Sequence, residues 1–482
     1  MQFIFFFPLL FVLYYVLSYR YRTVLLLLGS YFFYAYWKPV YIILILFSTS
    51  LDFFTAKKIE ASKGLVKRNW LFLSLFGNLG ILFFFKYSQF FIENLNLFLS
   101  IFSNYQLKSF SFELPLGISF YTFQTMSYTI DVYQKRMPAE KGFLRFALYV
   151  SFFPQLVAGP IERASNIIPQ LKKEISLDYE RITDGLKIMF TGFFKKVVIA
   201  DSLSIIVAHV YSNVFDFGGL VLIFATFLFR YQVFCDFSGY SDIAVGAAKV
   251  FGINLTQNFN RPFAATSVRD FWRRWHITMG GWFKDYVFFP LNQNHLGRKR
   301  MIYFNTLLTF LLIGLWHGPK WTYVFWGGLH GTLLLLDRAT EKKREALTNR
   351  LKLKNHPILL KCFQIFVTFS LMSLVSVFFR ASNVNEGFHI IKEFFSFTKV
   401  GYWNFNDILD LMEHKQHFGE LILVIASIIG MEFIHYYQSK KNLLSSVKKF
   451  PKFLRWSLYP VACFVLILVG KFYAKEFVYF QF

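Results

Sequence analysis

The sequence predicts an all-α, polytopic integral membrane protein, and three observations carry that prediction. Hydrophobic residues make up 55% of the 482 positions, with 66 Phe and 27 Tyr among them. Apolar runs recur from one end of the chain to the other, and a soluble core could not absorb so much apolar surface. The formal net charge is +24, yet Lys and Arg gather in the short connections between apolar runs. That placement follows the positive-inside rule of membrane topology and argues against nucleic-acid binding.

Taken in order, runs near 2–17, 23–36 and 39–54 read as spans. Arg20 and Arg22, then Lys57, Lys58, Lys63, Lys67 and Arg68, are placed in the cytoplasm, so the N-terminus falls outside. The first run has no basic segment before it and no Ala-x-Ala after it, so it reads as a retained span and not a cleaved signal. Further spans are expected near 70–86, 114–132, 144–158, 183–200 and 218–235. The stretch 88–103 is interrupted by Glu93, Asn94 and Asn96, which leaves spanning, interfacial and re-entrant readings open. Spans near 359–379, 419–437 and 456–473 follow. The basic segments 338–354 and 440–455 go to the cytoplasm, whereas 380–418, with Asp407, Asp410 and Glu413, goes to the other side. The C-terminus then lies outside as well, so the number of crossings is even; about 10–12 are expected at roughly 20 residues each, plus re-entrant or interfacial helices. No linker-like stretch divides residues 1–482, which read as one integral domain. Irregular backbone at membrane depth is tolerated only against protein or a wet cavity, so several half-length elements imply an enclosed chamber. Cys235, Cys362 and Cys463 show neither CxxC spacing nor a disulfide framework and read as packing residues.

Two segments carry candidate chemistry. In Leu315-Trp316-His317-Gly318-Pro319, a histidine sits between apolar runs 302–316 and 321–336, each about 22 Å long as a helix. A buried ionisable group at that depth is a functional-site candidate by default; the alternative is a histidine at the mouth of an ordinary helical hairpin. In the segment 267–290, Ser267 and Asp270 resemble a capping box that opens a helix. Arg269, Arg273 and Arg274 interleave there with Phe271, Trp272 and Trp275. This helix reads either as an interfacial anchor whose arginines meet lipid phosphates or, with Lys284, Arg298, Lys299 and Arg300, as the approach for an anionic donor such as coenzyme A, because guanidinium forks match phosphate. His276 closes the pattern. Asp236 and Asp242 are expected to pair with Arg230 or another buried base, and Lys195, Lys196 and Asp201 to form an interfacial ion cluster. His209, His295, His356, His389, His414, His417 and His435 lack metal-site spacing, and no metal site is assigned.

The strings DFWRRWH at 270–276, WFKDYVFFPL at 282–291 and LWHGPKWTYVFWGGLHG at 315–331 resemble the membrane-bound O-acyltransferase family, closest to its bacterial alginate O-acetyltransferase-like members. LPLGISFYTFQTMSYTIDVY at 114–133, FFPQLVAGPIER at 152–163, VFCDFSGYSDIAVG at 233–246 and FVYFQF at 477–482 look similar to the same subfamily. The resemblance implies a ring of tilted helices around a thin partition pierced by a central tunnel. It places His317 on the family's near-invariant histidine and His276 on a second polar position that is Asn in eukaryotic relatives. His330 falls in the WGxxHG pattern, either lining the substrate path with Trp316 or packing one helix face below it.

Acyl transfer from a thioester to a hydroxyl needs a base and a donor to the oxyanion. His317 is the expected base, and His276 the group that orients the thioester or donates to developing charge; Arg273, Arg274, Trp316 and His330 are the expected substrate contacts. No covalent nucleophile stands out, since Cys235 in an aromatic helix reads as structural, so direct transfer is favoured. No bound cofactor is expected. The resemblance implies acetyl-CoA as donor, an extracytoplasmic SGNH-type partner, a surface polysaccharide as final acceptor, and the bacterial inner membrane as location. Two alternatives stay open: a D-alanyl exporter of teichoic acid modification, and a non-enzymatic transporter.

Overall fold

The computed structural model describes residues 2–109, 112–293, 298–396, 418–438 and 451–472. The expectations placed on His295, Asp407, Asp410, Glu413, His414, His417, most of the basic stretch 440–455 and the terminal FVYFQF lie outside these residues. Regular structure among the described residues is helical throughout. Four helical stretches are long and apolar enough to cross a membrane: Pro39–Ala61, Gly64–Leu99, Gly219–Val250 and Pro357–Arg380. Shorter apolar helices include Phe3–Val16 and Leu421–Tyr437.

The distribution of polarity is that of a protein whose solvent is lipid. Large apolar side chains such as Phe5, Phe76 and Ile358 stand on the outer surface. Many polar ones turn inward and pair with one another. Asp52 on helix Ile42–Ala61 accepts from Ser74, from Asn78 Nδ2 at 2.8 Å and from Thr129 Oγ1 at 3.0 Å. Lys196 meets Asp236 at 2.6 Å and Asp201 at 2.9 Å, while Lys195 meets Asp242 at 2.7 Å. The two aspartates of the CDFSGYSD stretch are therefore taken by the lysine pair, and Arg230 is left to other work. Cys235 is buried as expected, but Cys362 and Cys463 are exposed, so they are not core packing residues.

Two close helix contacts set the frame. Helices Tyr179–Phe193 and Gly219–Val250 meet along Gly185, Gly192, Gly239 and Gly246, where an added methyl would overlap the partner helix's backbone. Small residues at such crossings let backbones approach and gain dispersion contacts in lipid. The second contact joins Lys299–His317 to Trp321–Ala339, where a methyl on Gly314 would overlap the carbonyl of Tyr323 and one on Gly327 that of Phe310. Each of these two helices has 19 residues, or about 28 Å. The apolar runs alone suggested shorter elements. Lys299 to Met301 and Asp337 to Ala339 extend the helices beyond them, and Asp337 is neutralised by Arg269 at 3.0 Å and Arg344 at 2.6 Å.

The stretch 88–103 also resolves. Its first part is helix Ser88–Leu99, which continues Gly64–Leu82 through a π-helical turn, Phe83–Tyr87. The interrupting amides are used at its end: Asn96 bonds both the N–H and the C=O of Leu107, and Asn94 accepts from Trp321 Nε1 at 2.9 Å. Apolar packing divides into two clusters. One gathers the N-terminal helices around Tyr34, Phe146 and Phe153, and the other surrounds Trp275, Trp316 and Trp326. The second cluster holds the candidate site.

Candidate active site

His317 is the last residue of its helix, and its carbonyl is one of the groups that a helix leaves without an intrahelical partner. The π-helical turn supplies the cap. Lys86 Nζ donates to the carbonyl of Trp316 at 2.5 Å, to that of His317 at 3.2 Å and to Ser119 Oγ at 3.3 Å. Tyr87 Oη donates to the carbonyl of Leu315 at 3.0 Å. Single π turns interrupt helices frequently at functional sites, and this one aims two consecutive side chains at the His317 turn.

His276 reaches the same region from another element. The Ser267 cap is formed, with its Oγ accepting from the Asp270 N–H at 3.1 Å, while the Asp270 carboxylate reaches back to the Thr266 N–H at 3.1 Å and not to that of Ser267. The helix it opens ends at Arg274, however, so His276 does not close it. Trp275 is extended, His276 takes the left-handed conformation at φ 42°, ψ 54°, and a new helix, Ile277–Phe283, begins. A β-carbon is strained there, and such backbone persists only when its surroundings enforce it. The segment before Arg261 does so. The Asn258 carbonyl accepts from the Ile277 N–H at 2.9 Å, and Asn260 N–H donates to the Arg274 carbonyl at 2.9 Å.

Asn258 also fixes the ring. Its Oδ1 accepts from the Thr278 backbone N–H at 3.2 Å and from Thr278 Oγ1 at 3.0 Å, and lies 3.1 Å from His276 Nδ1. An N–H facing the amide identifies the facing atom as oxygen, which only accepts, so Nδ1 carries the proton. In the neutral ring Nε2 is then an acceptor. Nothing in the sequence singled out Asn258. It sits in a polar stretch, 256–260, with no periodicity and no motif, and its importance comes from a turn 18 residues downstream.

The two histidines line one narrow cavity with Arg230, Trp326, Ser376 and Phe379, about 30 Å³ in volume, which is room for roughly one or two waters. His317 also lines a second cavity of about 50 Å³, with Trp316, Lys86, Ser119 and residues 114–117. His317 thus lines both cavities. Trp316 lies beside it. Its ring lies 5.0 Å from that of His317 and 6.0 Å from that of His276, and its other face stacks on Phe123 at 5.3 Å.

His330 stands outside these cavities, packed 4.5 Å from Trp326 and 5.1 Å from Trp272. Arg273 is exposed on the surface of its helix. Arg274 pairs with Asp270 at 2.8 Å and lines a third, much larger basin of about 1450 Å³ with Lys195, Arg261, Lys361 and apolar side chains. Phe259 belongs to that basin's wall, and its ring lies 6.3 Å from that of His276, so one aromatic layer separates the basin from the histidines. The structure therefore brings together His276, His317 and Trp316, puts Arg274 in the basin behind them, and leaves Arg273 and His330 apart. Among the described residues, no group of His, Cys, Asp and Glu could hold a metal ion.

Comparison with known proteins decides the class. Residues 139–382, which contain both histidines, match the model of the membrane-bound O-acyltransferase family. The chain belongs to that family. Among its relatives, the peptidoglycan O-acetyltransferase of Helicobacter pylori is 36% identical over 76% of this chain and 72% of its own length. A probable alginate O-acetylase of Pseudomonas aeruginosa is 34% identical over 84% of this chain and 75% of its own. A teichoic acid D-alanyltransferase of Bacillus subtilis is 28% identical over 47% of this chain and 60% of its own. The acyltransferase is accordingly an all-α, multi-pass membrane enzyme.

Proposed function

We propose that this acyltransferase moves an acetyl group from a cytosolic thioester, acetyl-CoA, to a hydroxyl presented from the other face of a bacterial inner membrane, for O-acetylation of a surface polysaccharide. The observation that carries the reading is that His317 lines both the cavity it shares with His276 and the Lys86 cavity. A base that lines two cavities can meet a donor from one and an acceptor from the other. The arginine-bearing basin is the donor's approach in this reading, and the Lys86 cavity the acceptor's.

The chemistry then runs as a direct transfer. His317 takes the proton of the acceptor hydroxyl as its oxygen attacks the thioester carbonyl carbon, and the π electron pair moves onto the carbonyl oxygen. Collapse of that oxyanion breaks the C–S bond, and the proton passes from His317 to the departing sulfur. Proton transfer of this kind contributes about 10²–10⁴-fold to rate. His276 is a positioning group: with its proton on Nδ1, its Nε2 accepts a hydrogen bond and cannot, while neutral, donate one to an oxyanion. Trp316 walls the acyl path, and His330 supports Trp326 beneath it. An extracytoplasmic SGNH-type enzyme would carry the group onward to the polysaccharide.

The D-alanyl alternative has support from the teichoic acid relatives, but the O-acetyltransferase relatives match more of the chain at higher identity. Inside-out membrane vesicles test the choice. Labelled acetyl-CoA added to the exposed cytoplasmic face should yield acetylated hydroxyl acceptor in the lumen. Transfer only from an aminoacyl carrier protein would favour D-alanylation, and lack of transfer from either donor would contradict acyl transfer altogether.

A further inference from the structure

The cavity shared by the histidines contains a cation that no carboxylate neutralises. Arg230, on the long helix Gly219–Val250, is 5% exposed, and its Nε and Nη2 are buried without a hydrogen-bond acceptor. It forms no ion pair among the described residues, while nearby Asp236 and Asp242 are taken by Lys196 and Lys195. Three rings box the guanidinium in: Trp275 at 5.1 Å, Phe271 at 5.3 Å and Phe263 at 5.6 Å. Cation–π contacts hold its face. They leave the N–H groups of Nε and Nη2, which lie in the guanidinium plane, without an acceptor.

A guanidinium does not shed its charge, and burying one without an acceptor is costly. The cost is tolerated where a ligand or a transition state supplies the missing negative charge. His276 cannot serve as the neutral donor in this cavity, because Asn258 holds its proton on the far nitrogen. The shared lining of Arg230, His276 and His317 therefore leaves one side chain with donors and charge to offer. We propose that Arg230 donates to the thioester carbonyl oxygen, holds the oxyanion as it forms, and makes the cavity selective for uncharged acyl groups over those bearing an ammonium.

The proposal rests on the acyl-transfer reading and deepens it, since it predicts from this chain's own residues why acetyl would be taken and an aminoacyl group refused. In the step itself, the hydroxyl oxygen bonds to the carbonyl carbon and the carbonyl electron pair moves to oxygen beside Arg230. The proton goes to His317 and then to the sulfur as the C–S bond breaks, so Arg230 gains and loses no proton.

The test compares acetyl and aminoacetyl thioesters of the same carrier in membranes bearing wild type, Arg230→Gln and Arg230→Lys, normalised to folded protein. Wild type should prefer acetyl. Arg230→Gln should lower acetyl transfer by about 10²–10³-fold, the loss seen when one oxyanion donor is removed, and should narrow the acetyl-to-aminoacetyl ratio by about tenfold or more. Arg230→Lys, a point charge without the fork, should lose rate but keep the ratio. A merely structural arginine would lower both donors equally, so an unchanged ratio in folded Arg230→Gln overturns the proposal, as does an undiminished acetyl rate. Should Arg230→Gln fail to fold, a full acetyl rate in Arg230→Lys overturns it instead. Wild-type protein inactive with both donors would contradict the acyl-transfer reading itself, a result distinct from failure of the Arg230 role.

Discussion

The Nζ of Lys86 lies 2.5 Å from the carbonyl oxygen of Trp316, so a buried amine on one helix fixes the end of another at the residue before His317. The two residues are 230 positions apart in sequence. The contact sets the exit angle of the chain at His317 and lines the second cavity with the same amine.

Lys86→Met keeps the bulk of the stem but strips the donors from two carbonyls. A hydrogen bond contributes about 0.5–1.5 kcal/mol, so a stability loss of about 1–3 kcal/mol is expected. Thermal melting in detergent should fall, and kcat should fall further than melting alone explains, because the His317 ring loses its orientation. Unchanged kcat in folded Lys86→Met would confine Lys86 to a structural role.

Gly314→Ala should destabilise the hairpin, since the added methyl meets the Tyr323 backbone and not a flexible side-chain end. Overpacking of this kind costs typically 1–3 kcal/mol. Gly80→Ala is the control, because nothing lies within 4 Å of a methyl there, and alanine is the better helix former by about 1 kcal/mol. Melting temperatures of the two variants should therefore move in opposite directions.

His276→Asn tests backbone and chemistry together. Asn is among the few side chains that accept the left-handed region readily, so this variant should fold as wild type, whereas the β-branched His276→Val should not. A positioning role predicts partial acyl transfer in His276→Asn. A proton-transfer role predicts none, and turnover per folded protein separates the two.

What was legible in the sequence follows from periodicity and local chemistry. The Ser267 cap and the meeting of His276 with His317 were written in a short-range pattern and in long motifs. Other features depend on contacts between distant segments. The left-handed turn at His276 interrupts what reads as one continuous helix, and only the backbone bonds from Asn258 and Asn260 reveal it. Lys86 reads as a cation near the end of an apolar run, ordinary for a membrane protein, until the π turn points it at the His317 helix. Asp236 and Asp242 were matched to Arg230 or another buried base, and helix packing supplies Lys196 and Lys195 as that base.

Arg274 lines the large basin, whereas Arg273 is exposed outside it. If the basin receives a phosphate-bearing donor, Arg274→Gln should raise the donor KM severalfold and flatten its dependence on salt, because exposed charge pairing is screened within about 10 Å at 0.1 M salt. Arg273→Gln should do less. Donor titrations at two ionic strengths check both, and equal behaviour of the two variants would return this helix to a lipid-anchoring role.

The central claim is that His317 is the proton acceptor that lines both cavities. His317→Gln keeps much of the bulk and the hydrogen-bonding capacity but cannot take a proton at neutral pH. The decisive measurement is labelled acetyl transferred to a hydroxyl acceptor by wild-type and His317→Gln membranes, normalised to folded protein. A fall of about 10²–10⁴-fold with unchanged melting is the predicted result, and wild-type turnover in His317→Gln would contradict it.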